Sequence, residues 1–324
     1  MITYNQQDYI RQTLDSIIMQ KGDFDLELVI GEDCSTDHTF TICQEYAERY
    51  PDIVRLLPNT QNLGIMANCA RVFSACNGDF IGSIAGDDYY CDDHALEKQM
   101  LYMQKHAEVG LMVANGYQYF VRRNQKIAGF NPTIKAGEDS AKAFYFSPSY
   151  RGGVYLWPIG LMLRREMLQY IDFEEIIRRG IPVEDYPLQA ILSQHTRFAC
   201  LPDLLVTYRV YKESASFISF DHPKYLEYNR GLVEIRRYLN ELFPNDACFT
   251  ETQLQEQLFY KEFLLYLHQL DLKKAKQLLK EIPTCIINGE KVTKAKQFTK
   301  TKIHFLIAHI IKEYKYKNEL KQNT

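Results

Sequence analysis

The sequence predicts an α/β protein with a mainly parallel sheet, followed by a helical C-terminal extension. Residues 1–115 alternate between short apolar runs, typical of buried strands, and apolar spacings of three and four residues, typical of helices. Repeated β-α-β units require right-handed crossovers, which make consecutive strands parallel. From about residue 221 onward the pattern is helical. These observations together predict the fold class.

The first half of the chain divides at polar or glycine-containing boundaries. The residues at 35–37, Ser-Thr-Asp, start a helix because their side chains can cap free backbone N–H groups. We expect a first strand that ends near residue 3 and further strands over residues 26–30, 53–57, 80–84 and 110–114. The intervening helices are expected to start near residues 10, 35, 64 and 92. A central strand usually has about five or six residues, yet only three precede Tyr4. We therefore expect that native residues precede Met1 or that the start is misassigned.

The second half is less regular. Residues 116–150, which contain Gly, Pro and Tyr, predict a loop-rich insertion. An apolar run over 157–163 precedes a helix that starts at residue 164. A further helix over 188–193 and a strand over 198–208 follow.

Composition narrows the function classes. The net charge of −3 argues against a nucleic-acid binder. The eight cysteines form no CxxC pair and no cluster with zinc spacing, which favours a reducing, cytoplasmic compartment. No segment has the roughly 20 apolar residues of a membrane span, and the opening MITYNQQDYI is not a secretory signal. The numerous tyrosines suit sugar faces and nucleobases, although ordinary packing is the favoured explanation for them.

Polar and acidic residues follow three of the predicted strands. In open parallel sheets, ligands bind beyond the carboxyl ends of the strands. Asp87 and Asp88 end one strand in a tight turn, and their mutual repulsion favours a nearby cation. Mg²⁺ and Mn²⁺ take oxygen ligands, often one or two carboxylates plus substrate phosphate oxygens. The pair therefore predicts a divalent-metal site that binds a diphosphate; a solvated acidic turn is the alternative.

The strand over 26–30 ends in Glu32 and Asp33. A carboxylate here can accept the imide N–H of uracil, but a helix N-cap at Asp33 or Ser35 is a simpler structural explanation. Tyr4 can pack against a base, or it can be an ordinary core tyrosine. Arg209 can neutralise a phosphate, or form a buried ion pair with an acid.

Taken together, these motifs resemble family 2 glycosyltransferases with the GT-A fold, a Rossmann-like nucleotide-diphospho-sugar transferase architecture. The resemblance covers about residues 1–220 and is specific only as a set. Its motifs, in order, are Thr3-Tyr4-Asn5, Gly31-Glu32-Asp33-Cys34-Ser35-Thr36-Asp37, Asn62-Leu63-Gly64 with Asn68, Gly86-Asp87-Asp88-Tyr89-Tyr90, Glu184-Asp185, and Tyr208-Arg209-Val210 with Ser214 and Ser216. One departure is Glu32, where the family usually has Asp.

The resemblance implies a role for each of these positions. Tyr4 and Asp33 would hold the uracil of a UDP-sugar, Asp87 the ribose or diphosphate, and Asp88, with Asp87, a Mn²⁺ or Mg²⁺ ion. Asp185, beside Glu184, would be the general base of a single inverting displacement; a helix cap is the alternative. The remaining nucleotide-sugar contacts would come from Thr3, Asn5, Glu32, Asn62, Gly64, Asn68 and Arg209.

The resemblance also implies a domain plan and a setting. Residues 1–220 would be the GT-A catalytic domain, with a nucleotide-binding half at 1–115 and an acceptor half at 116–220, and 221–324 a helical extension. The acceptor would be a carbohydrate or a lipid-linked glycan in bacterial surface-polysaccharide assembly, at the inner face of the cytoplasmic membrane. A homodimer is compatible with the sequence.

Two other functions are compatible with part of the pattern. A sugar nucleotidyltransferase would need a Gly-rich, Arg-containing phosphate loop after the first strand, where this chain has Asn5-Gln6-Gln7-Asp8. A catalytically degenerate transferase domain that serves as a binding or assembly partner would not need the intact acids. Mn²⁺-dependent hydrolysis of nucleotide sugars separates the degenerate domain from the enzyme.

The C-terminal region is strongly basic. Nine Lys and two Glu over residues 291–324 give this segment a net charge of +7, so the rest of the chain carries −10. The run over 305–311 is largely apolar. A basic helix with an apolar face suits an anionic membrane surface; alternatively, that face packs on the protein and the lysines extend outward.

Overall fold

The computed structural model describes residues 1–135, 140–146, 156–211, 220, 222–247, 249–269 and 271–300. Within these residues the chain forms two compact units. The first comprises 1–178 and 182–210, and the second comprises 179–181 with the chain from residue 211. Ser214, Ser216 and the apolar run over 305–311 lie outside the described residues, so the predictions made for them stay predictions.

The first unit contains all the strands that the structure describes. They are β1 (Ile2–Thr3), β2 (Leu28–Glu32), β3 (Val54–Pro58), β4 (Phe80–Ser83), β5 (Tyr89–Tyr90), β6 (Val109–Phe120), β7 (Gln125–Ala128), β8 (Leu161–Arg164) and β9 (Arg197–Val210). Its helices are α1 (Ile10–Ile18), α2 (Thr39–Arg49), α3 (Ile65–Ala75), α4 (Ala95–Lys105), α5 (Ser140–Tyr145), α6 (Phe173–Arg178) and α7 (Asp185–Leu192).

The sheet order explains how distant segments reach one edge. Strands β1, β2 and β3 are parallel neighbours in the order β1-β2-β3. On its other side, β1 forms a parallel bridge between Ile2 and Ala85, just after β4. Strand β1 thus lies between the end of β2 and the end of β4. The short first strand is central, as its place in the predicted sheet requires.

The second sheet has the order β4-β8-β6-β9-β5, with β7 paired to β6. Strands β6 and β9 are parallel, whereas β4-β8, β6-β8, β6-β7 and β5-β9 are antiparallel. The predicted parallel arrangement therefore describes the first three strands and β6-β9, and the rest of this sheet is mixed. Helix α4 covers this sheet through a core that includes Met103, Val109, Met112, Met162 and Ala199.

The prediction of a loop-rich insertion over residues 116–150 was wrong for its first part. Strand β6 continues to Phe120 and then forms a hairpin with β7. Gly116, which favoured a loop, instead allows close approach of two strands, because a Cβ there would meet the Val206 carbonyl oxygen at 2.0 Å. Glycine in a strand often marks such an approach.

The second unit is helical over the residues described, as the sequence predicts. Its helices are α8 (Tyr225–Leu242), α9 (Glu251–His268), α10 (Leu272–Lys280) and α11 (Glu290–Lys300). Helix α9 begins at a capping box, in which the Thr250 side chain and the Gln253 side chain each bond the other residue's backbone N–H. Phe259, Phe263 and Leu267 of α9 pack with Ala275, Ile286 and Val292 in its core. Among the described helices, none has the length and apolarity needed to cross a bilayer.

Candidate active site

The ends of β1, β2 and β4 meet at one edge of the sheet. The Asp33 backbone N–H donates to the Thr3 carbonyl at 3.0 Å, and the Gly86 N–H donates to the Ile2 carbonyl at 3.1 Å. Gly86 is packed so tightly that an added Cβ would lie 2.6 Å from the Thr3 hydroxyl oxygen. The three acidic or polar strand ends singled out in the sequence are therefore neighbours.

The loops after β1 and β2 bind each other through their side chains and backbones. Asn5 Oδ1 accepts from the Thr36 N–H at 2.8 Å, and the Asn5 N–H donates to Ser35 Oγ at 3.0 Å. The Gln7 N–H donates to Asp37 at 3.1 Å. Asn5 and Cys34 both have left-handed backbones, with φ of 52° and 59°. These interactions fix the position of Tyr4, whose side chain is 44% exposed at this edge.

Asp33 is buried and organises the segment between β3 and α3. Its Oδ1 accepts from Asn59 Nδ2 at 2.7 Å and from the Leu63 N–H at 2.8 Å, while Oδ2 accepts from the Gly64 N–H at 2.9 Å. Gly64 is the N-cap residue of α3. The expected N-cap at Asp33 or Ser35, and the helix start at residues 35–37, are thus wrong, because α2 starts only at Thr39 and Asp37 accepts the Thr39 N–H.

The other residues predicted on this side lie around the same carboxylate. Asn62 donates to the Asp33 carbonyl at 3.1 Å. Asn68, which is buried in α3, donates to the Gly31 carbonyl at 2.9 Å and accepts from Asn59 at 3.1 Å. Glu32 is buried and accepts the Ser35 N–H at 2.8 Å. The sequence analysis did not identify Asn59, because this residue belongs to none of the motifs.

Asp87 and Asp88 are both buried, in the turn between β4 and β5. Asp88 Oδ1 accepts from the Arg209 backbone N–H at 2.8 Å. Burial, and then the like charge of Asp87, raise the pKa of Asp88 well above its usual range, against the opposing effect of Arg209. A buried acid pair of this kind gains from a bound cation, which would favour the ionised form.

Arg209 lies beside this turn and is almost fully buried. Its guanidinium donates to the Asp87 carbonyl and to Gln12 Oε1, and it packs over the rings of Tyr89 at 4.6 Å and Tyr9 at 5.0 Å. Burial lowers the pKa of Arg209, although Asp88, Tyr89 and Asp87 act in the opposite direction.

Helix α1 supports the turn, a role that the sequence did not indicate. Thr13 Oγ1 lies 2.9 Å from the Gly86 carbonyl oxygen and 2.6 Å from that of Asp88, so its single O–H can donate to either carbonyl. Thr13 interrupts the apolar spacing of Ile10, Leu14 and Ile17, and this is the signal that could have identified it. A polar residue on the buried face of a helix needs a partner, and here the partner is the turn.

Glu184 and Asp185 lie at the start of α7. Glu184 is the N-cap residue but makes no capping hydrogen bond through its side chain. Both carboxylates act electrostatically on the thiol of Cys69, so the pair lies near α3, the helix that carries Asn68. Burial, and then the charge of Asp185, raise the pKa of Glu184 to about 7. Because the Glu184 side chain makes no capping hydrogen bond, the alternative of a side-chain helix cap at this residue is wrong.

The metal-ligating capacity of the site rests on the Asp87–Asp88 pair. Among the described residues, no group of three or more His, Cys, Asp or Glu side chains is arranged to hold a metal ion. Within the described residues, the carboxylate of Asp88 accepts a hydrogen bond only at Oδ1. The second oxygen of Asp88, with the neighbouring Asp87 carboxylate, fits the ligand preferences of Mg²⁺ and Mn²⁺ when other oxygens complete the coordination shell.

Comparisons with known proteins place this geometry in a family context. The sequence profile described as Glycosyl transferase family 2 matches residues 1–168. An uncharacterized protein of Mycobacterium tuberculosis is 31% identical over 217 residues, which span 64% of this chain. The match covers 57% of that curated relative, so the chain spans little more than half of its length.

Two solved structures are similar in fold. One is S. aureus TarS 1–349 in complex with UDP-GlcNAc, with a TM-score of 0.53 and 17% identity over 86% of this chain and 77% of that one. The other is the mannosyltransferase PcManGT from Pyrobaculum calidifontis with GDP-Man and Mn²⁺, with a TM-score of 0.50 and 17% identity over 99% of this chain and 83% of that one. These matches confirm the predicted fold class.

Proposed function

Since this chain belongs to glycosyl transferase family 2, we propose that it moves a sugar from a UDP-sugar onto a carbohydrate or lipid-linked glycan, with inversion at the anomeric carbon. The observation that carries the proposal is the meeting of the β1, β2 and β4 ends, with the acids Asp33, Asp87 and Asp88 at one edge. The ligands of the two similar structures, UDP-GlcNAc and GDP-Man, support a nucleotide-sugar donor.

In this proposal the base of the donor packs on Tyr4, whose ring is exposed at the end of β1. Asp33 has three of its acceptor positions occupied by Asn59, Leu63 and Gly64. A carboxylate offers about four lone-pair positions, so one remains to accept an imide N–H. Asp33 would thus both hold the β3–α3 segment and contact the base. Thr3, Asn5, Glu32, Asn62 and Asn68 would act by holding these loops in place.

The diphosphate would lie against the Asp87–Asp88 turn. Asp88 and Asp87 are the residues that would hold Mn²⁺ or Mg²⁺, and the donor phosphates would supply further oxygen ligands. When bound, the ion would neutralise charge on the departing nucleotide diphosphate. Arg209 would add a fixed positive charge, because hydrogen bonds to the Asp87 carbonyl and Gln12 orient its guanidinium. The Mn²⁺ in the similar mannosyltransferase structure supports a metal of this type.

The acceptor hydroxyl would lose its proton to Asp185, the general base. Because burial and the charge of Asp185 raise the pKa of Glu184 to about 7, Glu184 takes up a proton far more readily near neutral pH than an ordinary glutamate does. Because the two acids share a site, a proton on Glu184 leaves the charge on Asp185, the member that takes the acceptor proton. Tyr186 donates its backbone N–H to Asp185 Oδ1 at 2.7 Å, which orients that carboxylate.

Turnover is the direct test. Purified protein with Mn²⁺ should slowly hydrolyse a UDP-sugar to UDP and free sugar, detected by a coupled UDP assay. Asp185→Asn should abolish that turnover while UDP still binds, because the base is not needed for donor binding. Absence of turnover from every nucleotide sugar tested, with UDP binding intact, would favour a domain that binds without catalysis.

A further inference from the structure

A tyrosine- and lysine-containing surface adjoins the candidate site on the sheet face that carries Arg209. Tyr119 of β6 is in register with Arg209 of β9 on one side and with Lys126 of β7 on the other. Opposed residues on paired strands point to the same face. Tyr117, two residues before Tyr119, shares that face because side chains alternate along a strand. We call Tyr117, Tyr119 and Lys126 the lysine platform.

Contacts connect the lysine platform to the acidic turn. Lys126 Nζ lies 5.4 Å from the centre of the Tyr89 ring, 5.6 Å from that of Tyr117 and 5.8 Å from that of Tyr119. The Arg209 guanidinium lies 4.6 Å from the same Tyr89 ring. Tyr89 directly follows Asp88, so a single ring separates the platform cation from the proposed diphosphate position.

Lys126 has no carboxylate partner among the described residues, and its side chain is exposed. Its attraction to three aromatic rings orients the ammonium group without neutralising it. The surrounding segment is also positive, because residues 109–135 contain four basic residues and no acidic residue. Arg122 and Arg123 are exposed in the same hairpin. A ligand bound here would meet the charge of Lys126, which no carboxylate of the described residues neutralises, beside two partly exposed tyrosine rings.

We infer that the lysine platform binds an anionic carbohydrate acceptor, with a carboxylate or phosphate of the glycan on Lys126 and sugar faces on Tyr117 and Tyr119. The inference rests on the proposed function, because Asp88 and Arg209 mark the donor side. An ammonium group pairs well with either anion. A lipid surface is disfavoured, because the exposed apolar Ile127 follows Lys126 in β7 and points to the opposite face.

The test is binding without nucleotide, measured by isothermal titration at low salt. The probes are tetragalacturonate for carboxylates, a glycerol phosphate oligomer for phosphates, and neutral maltotetraose. At least one anionic oligomer should bind more tightly than maltotetraose. Lys126→Gln should weaken that binding about tenfold, as expected for loss of one charge-assisted contact. Lys126→Arg should retain most of it, and Lys105→Gln, at an exposed lysine of α4, should match the wild type.

The inference is overturned if neither anionic oligomer binds, if maltotetraose binds equally well, or if Lys126→Gln binds like the wild type. Binding to phosphatidylglycerol vesicles without binding to any free glycan would overturn it in favour of a membrane contact. A UDP titration of the wild-type protein is run in parallel. Absence of UDP binding would contradict the proposed donor, whereas the glycan titrations report separately on the lysine platform.

Discussion

Replacing Glu184 by glutamine should stabilise the protein at alkaline pH. The pKa of the Glu184 carboxyl is raised from an ordinary 4.5 to about 7, chiefly by burial and then by Asp185. When the pKa of an acid is higher in the folded than in the unfolded state, ionising that acid destabilises the folded state. The cost of ionising it is therefore absent below pH 4.5, grows between pH 4.5 and 7, and is complete above pH 7.

The size of the effect follows from the same two values. The difference between them corresponds to at most about 3 kcal/mol of unfolding free energy. Because Glu184 is half-buried and water screens part of the repulsion, we expect about 1–2 kcal/mol. For a unit of this size that is a rise in Tm of about 2–8 °C at pH 8, fading toward pH 4.5.

The assay is thermal unfolding of the wild type and Glu184→Gln at several pH values between 4.5 and 8.5. Glu174→Gln, which removes an exposed glutamate from α6, controls for the loss of one negative charge and should follow the wild type. A Glu184→Gln protein that is less stable at pH 8, or whose difference from the wild type does not change with pH, would refute the burial and repulsion that we describe at α7.

Three further changes test the supports of the site. Asp33→Ala leaves Asn59 Nδ2 and the Leu63 and Gly64 N–H groups without their acceptor, so it should cost about 2–4 kcal/mol in a denaturant titration; a loss below 1 kcal/mol would show that water replaces the carboxylate. Gly86→Ala puts a Cβ 2.4 Å from Gln6 Oε1, so it should lower Tm by a few degrees and weaken UDP binding. The control Gly78→Ala, where the closest atom to the new Cβ is at 3.1 Å, should have smaller effects on both. Equal effects of the two substitutions would argue against the packing of β1 on the turn. Tyr4→Ala should weaken UDP binding about tenfold, the loss of one stacking contact, with little change in Tm because the ring is exposed; unchanged affinity would remove Tyr4 from the donor site.

Much of the fold could be predicted because, in the first half of the chain, the residues at each strand end themselves mark where the strand stops. The ends of β2 and β4 coincide with acidic, glycine-containing segments, and both were placed within two residues from the sequence. Strand β6 was cut short because Gly116 and the polar residues near it resemble a loop. Only the pairing with Val206, some 90 residues later, makes glycine necessary there.

The site could be predicted less completely, because most of its contacts join residues that are far apart in the sequence. The acids were identified by their place after strands, which is a local property. The partners of Asp33 come from residues 59–64, and those of Arg209 come from α1 and β5, so neither set follows from spacing along the chain. For the same reason, the sequence could not decide whether Arg209 neutralises a phosphate or forms a buried ion pair, because that choice depends on these distant contacts.

Metal-dependent nucleotide binding at the acidic turn tests the central claim most directly. Isothermal titration of the wild-type protein with UDP should show binding with Mn²⁺ and much weaker binding with EDTA. Asp88→Asn keeps an oxygen for the Arg209 N–H and should preserve the fold, yet it should lose most of the Mn²⁺-dependent affinity. UDP binding of equal strength with and without Mn²⁺, and unchanged in Asp88→Asn, would contradict a metal and diphosphate site at Asp87 and Asp88.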